Sequence, residues 1–322
     1  MSILILPFSF AIAFGAFRLL VPRLKAAGIV GKDMNKPGHP EVPEMGGLGI
    51  IIGLTGGLLL AIALKTFTET LNTTAVNADE LFAVLAMVLL IGLIGIIDDL
   101  LHIRQLTKAL TPLFAALPLA AIRAGHSIMR IPFIGPVEFD IFYPLLLVPI
   151  AVTVAANAVN MLAGFNGLEV GMGLIATVSL GVIAYTLNDV TALLVLAAAA
   201  GALLAALIFN WYPARVFIGD VGTLSIGAVL ASAVIIGDFE TAGIIILVPY
   251  AVDFLLKAVN HFPKSFGEYN NGKLYCPQSG PVGLCQLVMK INGGISERGL
   301  VFSLIGLEAV FGVITVLMYA RF

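Results

Sequence analysis

The chain has 322 residues, 60% of them hydrophobic and only 11% charged, with a mean hydropathy of +1.06. That is more apolar surface than a soluble core of this size can hide, so the chain belongs in a bilayer. A net charge of -2, with no basic run and no interleaving of aromatic and basic residues, argues against nucleic acid as a partner. Cys276 and Cys285 share one polar loop without CxxC spacing or accompanying histidines, so they read as reduced thiols rather than as a zinc site or a disulfide.

The first apolar stretch reaches Val21 with no basic residue ahead of it and no small-residue cleavage pattern, which reads as a retained helix rather than a signal peptide. A spanning helix needs roughly 20 apolar residues. Breaking the chain at polar and Gly/Pro clusters predicts an all-α polytopic membrane protein with about ten spans: 2–21, 46–65, 81–100, 106–123, 142–160, 167–186, 190–209, 217–236, 241–258 and 300–321. Lysine and arginine gather in one set of connections, from Arg23, Lys25, Lys32 and Lys36 through Arg104, Lys108 and Arg215 to Lys273, Lys290 and Arg298. The other set holds only Lys65, Arg123, Arg130 and Arg321. Basic loops stay in the cytoplasm, so both termini are expected outside and the long basic loops inside.

Two inner connections are long: 22–45 and, above all, 259–299, which is polar enough to form a small cytoplasmic subdomain. On the outer side, SIMRIPFIGPVEFD alternates apolar residues around Gly135 and Pro136 and predicts a short β-hairpin. Asn72-Thr73-Thr74 is a glycosylation sequon on an outer loop, a triplet common by chance.

Polar residues that survive at helix ends mark the chemistry, because a carboxylate at bilayer depth costs a few kcal/mol on insertion scales. IGIIDDLLHIRQLTK puts Asp98 and Asp99 at the inner end of the third span. Two adjacent carboxylates near an apolar boundary call for a cation, either Lys108 or a hard metal such as Mg²⁺; the plainer alternative is a solvated polar helix end. In NAVNMLAGFNGLE, Asn157 and Asn160 stand three apart and share a helical face, where an amide oxygen can ligate Mg²⁺ and an amide NH₂ can donate to phosphate; helix capping is the competing role. Asp220, in NWYPARVFIGDVGTLSIG, either caps the eighth span or supplies a metal ligand beside backbone N–H groups. Phe217 stacks on a planar base or anchors the interface. GKDMNKPGHPEVPEMGG brings Lys32, Lys36 and Glu44 to the same surface. All these candidates lie on one side of the membrane in separate loops, as a divalent metal bridging two phosphates requires.

The blocks GKDMNK, VPEMGG, the DD pair with Arg104 and Lys108, NAVNMLAGFNGLE and WYPARVFIGD, in that order from about residue 28 onward, resemble the polyprenyl-phosphate N-acetylhexosamine-1-phosphate transferases. NGLE and NWYPARVF are most similar to the UDP-GlcNAc:dolichyl-phosphate GlcNAc-1-phosphotransferase branch. The resemblance implies that Asn160 and Asp220 hold Mg²⁺, with Mn²⁺ as an alternative, and that Lys108 contacts phosphate. It implies that Asp98 and Asp99 orient this assembly and that Glu44, Asn166 and Phe217 surround the uridine. Within 259–299, basic residues beside a proline would read the N-acetyl sugar, and NHFPKS offers His261 and Lys264. That stretch has less arginine than eukaryotic members carry. The three-histidine cluster of the phospho-MurNAc-pentapeptide transferases is absent, which argues against a peptidoglycan precursor.

The expected partners are UDP-GlcNAc, a polyprenyl or dolichyl phosphate and the bilayer, and a homodimer is left open. The expected reaction is attack of the lipid phosphate on the sugar-linked phosphorus of the UDP-sugar, directly or through an Asp98 phospho-enzyme. A transporter of a nucleotide-sugar or other anion is the rival class; it predicts charges near the midplane and matching halves, neither of which the sequence displays.

Overall fold

The computed structural model describes residues 2–68, 76–101, 103–131, 135–263 and 265–319. The Asn72 sequon and Lys264 lie outside the described residues.

The first helix, α1 (Ser2–Ala26), ends beside a small strand pair, β1 (Val30–Lys32) with β2 (Glu41–Pro43), registered Val30 to Pro43. Helices α2 (Gly47–Phe67) and α3 (Ala78–Leu101) cross next, followed by the short α4 (Gln105–Ala115) and α5 (Leu117–Ala121). The antiparallel hairpin of β3 (Ile128–Ile131) and β4 (Gly135–Glu138) falls where the alternation predicts it. A π-helical turn, Tyr143–Leu147, leads into α6 (Val148–Met161), and α7 (Leu168–Thr186), α8 (Val190–Asn210) and α9 (Gly219–Ile236) follow. Helices α10 (Glu240–Ile246) and α11 (Val248–Val259) meet at a 56° bend. Pro249 in the first turn of α11 lacks the N–H that would continue the ladder, which accounts for a break there. The long connection then folds into a hairpin of β5 (Glu268–Asn270) and β6 (Lys273–Tyr275) and the short α12 (Leu284–Ile291), before α13 (Glu297–Tyr319) closes the chain.

Among the described residues, eight helices are long and apolar enough to cross a membrane, nine if the bent α10–α11 pair counts as one span. The difference from ten lies at 106–123. Pro112 sits inside α4 and Pro118 in the first turn of α5, so that stretch is two short helices joined at Ala116 rather than one continuous helix, and neither is long enough to be counted by itself, although together they lead from Lys108 to the loop of His126.

Helices α8 and α9 are apolar on all sides and form the centre: 78% and 89% of their spanning windows are buried, against 22% for α1 and 33% for α13. Lipid tails are as apolar as leucine, so close backbone approach rather than hydrophobicity holds such helices together. A Cβ on Gly95 of α3 would stand 2.4 Å from the Val221 Cα of α9, and one on Gly47 of α2 would stand 2.1 Å from the Gly222 nitrogen. Glycine at these positions lets α2 and α3 close on the N-terminal turn of α9.

The connections sort into two ends. At one, Asn77 N donates to Thr191 Oγ1 at 3.0 Å, His126 contacts Asp238, and Tyr143 donates to Glu240 at 2.5 Å. At the other, Phe217 N donates to the Pro43 carbonyl at 2.7 Å and Asn35 Nδ2 to the Gly164 carbonyl at 2.9 Å. This second end carries the basic loops.

Candidate active site

The site forms where α3, α4, α6 and α9 meet at the basic end. Successive residues on a helix point about 100° apart, so the Asp98–Asp99 pair divides. Asp98 turns to α4: its Oδ2 lies 2.8 Å from Lys108 Nζ, and its Oδ1 accepts from Ile103 N at 3.1 Å. Asp99 turns to α9, accepting from Asp220 N at 2.9 Å and Val221 N at 3.4 Å. It thereby satisfies N–H groups that open α9 and places negative charge at the positive end of the helix dipole. Gly219 has φ +68°, and a Cβ there would stand 2.5 Å from Asp99 Oδ2; a side chain would be strained in both backbone and space.

Lys108 bridges two helices, pairing with Asp220 as well as Asp98. Asp220 also accepts from the Asn160 amide of α6, and the same amide nitrogen donates to Thr223 Oγ1 at 2.7 Å. A lysine ammonium, three carboxylates and an amide thus converge from four helices. The Asp98 and Lys108 side chains are 6% and 14% exposed, and Asp220 is the most open at 22%.

Glu44 and Phe217 are brought side by side. The 43–47 segment pairs with 217–218 through Phe217 N to Pro43 O, Gly46 N to Phe217 O at 2.8 Å and Gly47 N to Ile218 O at 2.8 Å. Both side chains are partly exposed next to the carboxylate site.

Asn166 and Asn157 are occupied by the protein itself. Asn166 is 3% exposed. Its Nδ2 donates to Asp33 at 2.9 Å and Glu297 at 2.8 Å, and its Oδ1 accepts from Ala214 N at 2.9 Å. Lys36 completes this cluster through Asp33 and, at 3.0 Å, Glu297. The Asn166 side chain therefore shapes the loop that a ligand would meet. Asn157 Nδ2 donates to the carbonyls of Ala109 at 3.0 Å and Thr153 at 2.9 Å, tying α4 to α6 one turn below Asn160. His261 is exposed just beyond α11, at φ +60°, and among the described residues nothing joins it to the carboxylate site.

Sequence reasoning did not single out Thr223, Asp33, Glu297 or the Lys257–Asp253 pair. Thr223 follows Asp220 by three and so shares its helical face, a signal that was there to be read. The Lys257–Asp253 pair stands at 2.8 Å; Lys257 also donates to the Met161 carbonyl, and Asp253 accepts from Leu284 N at 2.8 Å, linking α11 and α12 to the end of α6. Glu297 and Asp253 carry no local pattern that separates them from helix-end acids.

Comparison with known proteins adds the following. Residues 81–238 match the model of glycosyl transferase family 4. A protein of Saccharolobus solfataricus, provisionally named a UDP-N-acetylglucosamine–dolichyl-phosphate N-acetylglucosaminephosphotransferase, is 41% identical over 96% of this chain and 94% of its own length. The chain belongs to glycosyl transferase family 4. Two more distant relatives in this similarity group are the enzyme of the same name from Dictyostelium discoideum, 27% identical over 85% of this chain and 77% of its own, and a Streptococcus pyogenes phospho-N-acetylmuramoyl-pentapeptide-transferase, 32% identical over 72% and 70%. The matched family 4 segment runs from α3 to the turn after α9, and so contains Asp98, Asp99, Lys108, Asn160 and Asp220.

Proposed function

We propose that this family 4 member transfers N-acetylglucosamine 1-phosphate from UDP-GlcNAc to a polyprenyl or dolichyl phosphate, releasing UMP, at a Mg²⁺-dependent site on the cytoplasmic face. The observation that carries this reading is Lys108 held between Asp98 and Asp220 with Asn160 alongside. The name of the Saccharolobus relative, which aligns along nearly the whole chain, supports the substrates.

The donor set suits a hard divalent cation. Asp220 and Asn160 offer oxygen ligands, and among the described residues no group of three or more His, Cys, Asp or Glu forms a complete cage. Mg²⁺ characteristically takes one or two protein carboxylates and fills the rest of its shell with phosphate and water. Bound there, it would neutralise charge on the diphosphate. Were Asp220 to serve such a cation, Lys108 would keep Asp98 as its partner and would have its remaining donors for a phosphate oxygen.

Direct attack by the lipid phosphate is favoured over a phospho-enzyme. The Asp98 carboxylate is buried, with one oxygen on Lys108 and the other on the Ile103 amide, so neither is presented as a nucleophile. A phosphate monoester is already an anionic nucleophile, and the protein's part is alignment and charge compensation. We assign Glu44 and Phe217 to the uridine end, a reading supported by the pairing of their segments beside the carboxylate site. The basic loops at this end support the cytoplasmic orientation, because basic connections are retained on that side.

The test is purified protein in sealed vesicles with labelled UDP-GlcNAc, polyprenyl phosphate and Mg²⁺. UMP and a labelled lipid are expected. Entry of intact nucleotide-sugar into the lumen without either product would overturn the reading. For sugar choice, His261→Ala should narrow the difference in rate between UDP-GlcNAc and UDP-GalNAc, and identical kinetics with both sugars before and after would remove His261 from sugar recognition.

A further inference from the structure

The Asn160 side chain has two amide hydrogens, and both are spent: one on Asp220 Oδ1 and one on Thr223 Oγ1 at 2.7 Å. Thr223 is 4% exposed, and its own hydroxyl hydrogen is directed at the Gly219 carbonyl at 3.2 Å. The hydroxyl oxygen therefore faces Asn160 as an acceptor. A flipped amide would set the Asn160 carbonyl against the Asp220 carboxylate and leave the Thr223 oxygen without its donor. The chain Gly219 carbonyl, Thr223 hydroxyl, Asn160 NH₂ thus fixes which end of the amide looks outward, and it is the carbonyl oxygen.

This orientation has two supports, and one of them is lost when the site is loaded. Asp220, once it turns to a cation, is no longer a dependable acceptor for Asn160. Thr223 then remains as the partner that keeps the amide from rotating. We propose that Thr223 is a positioning residue: it holds Asn160 so that its carbonyl oxygen, and not its NH₂, is offered to a divalent cation shared with Asp220. The proposal rests on the reading of Asn160 and Asp220 as the cation's protein ligands. Partners behind a ligand are worth typically 10–100-fold in metal affinity.

The test measures Mn²⁺ binding to the purified full-length protein by electron paramagnetic resonance, on wild type, Thr223→Val, Thr223→Ser and Asn160→Ala. Valine keeps the volume and removes the acceptor; serine restores it. Thr223→Val should weaken Mn²⁺ about 10-fold or more, and Thr223→Ser should bind close to wild type. In turnover, Thr223→Val should shift the metal-activation curve to higher concentration and regain rate at saturating metal, with the KM for UDP-GlcNAc unchanged there. A merely structural role would lower the amount of folded protein without moving the Mn²⁺ affinity of what remains. The proposal is overturned if folded Thr223→Val binds Mn²⁺ like wild type while Asn160→Ala does not. If Asn160→Ala also binds like wild type, the assignment of Asn160 as a ligand fails first, and the two failures are thereby told apart.

Discussion

Adjacent carboxylates invite one shared explanation, yet Asp98 and Asp99 do different work because helical geometry sends them to different neighbours. Asp98 pairs with Lys108, and Asp99 closes the start of α9. Lys108→Met should therefore hurt twice: it removes the donor proposed for phosphate and strands a buried carboxylate. Turnover should fall by about 10²–10³-fold, the scale of losing one preorganised electrostatic donor, and a kcat within a few-fold of wild type in correctly folded protein would contradict the role. Asn157 behaves otherwise. Its amide is spent on two backbone carbonyls, so Asn157→Ala should lower stability by about 1 kcal/mol and leave the KM for UDP-GlcNAc in place. Thermal denaturation alongside a substrate titration separates the two effects. Asp98, Asp99, Asn160 and Asp220 were legible in the sequence as polar residues at apolar helix ends; which of them touch was not. Hydrogen-bond partners more than 100 residues apart, such as Asp99 and Asp220, leave no local pattern.

At the scale of elements, the site depends on how closely α3 and α9 approach. Gly95 has no room for a methyl group against Val221. Gly95→Ala should push the helices apart, destabilise the protein by about 1–3 kcal/mol, as overpacking does, and lengthen the Asp99 contact to α9, with lower kcat as the readout. Normal turnover and stability would show that α3 and α9 tolerate the separation. At the opposite end, the loop before β3 is anchored to the α9–α10 turn through His126 and Asp238. The hydrogen bond and charge of Asp238 raise the His126 pKa above its ordinary 6.5. The anchoring contribution of the charged pair is therefore complete below pH 6.5 and fades as pH climbs through the raised value. The imidazole is 82% exposed, so the effect is small and local. Hydrogen exchange of the hairpin amides, corrected for intrinsic rate, should show faster opening above that range, and His126→Gln should abolish the pH dependence. The hairpin was readable from its alternation around Gly135-Pro136, while β1–β2 and β5–β6 were not, since three-residue strands are too short to declare a period. The stretch 106–123 is apolar enough to count as a span and is divided by its prolines.

For the whole molecule, composition alone decided the solvent, and the one-sided distribution of lysine and arginine agrees with the end at which the carboxylates collect. What lay beyond the sequence was the central position of α9, which buries its flanks against α2, α3, α6 and α8 and leaves Asp220 at its exposed tip. The account requires a phosphoryl transfer, in which the bond from the sugar-linked phosphorus of UDP-GlcNAc to the bridging oxygen breaks and UMP leaves with that oxygen, rather than a glycosyl transfer at the sugar carbon. UDP-GlcNAc labelled with radioactive phosphorus at the sugar-linked position distinguishes the two directly. With polyprenyl phosphate and Mg²⁺, the label should appear in the lipid as a diphospho-sugar, with unlabelled UMP released. Label in soluble UDP, with a lipid monophospho-sugar as the product, would contradict the account.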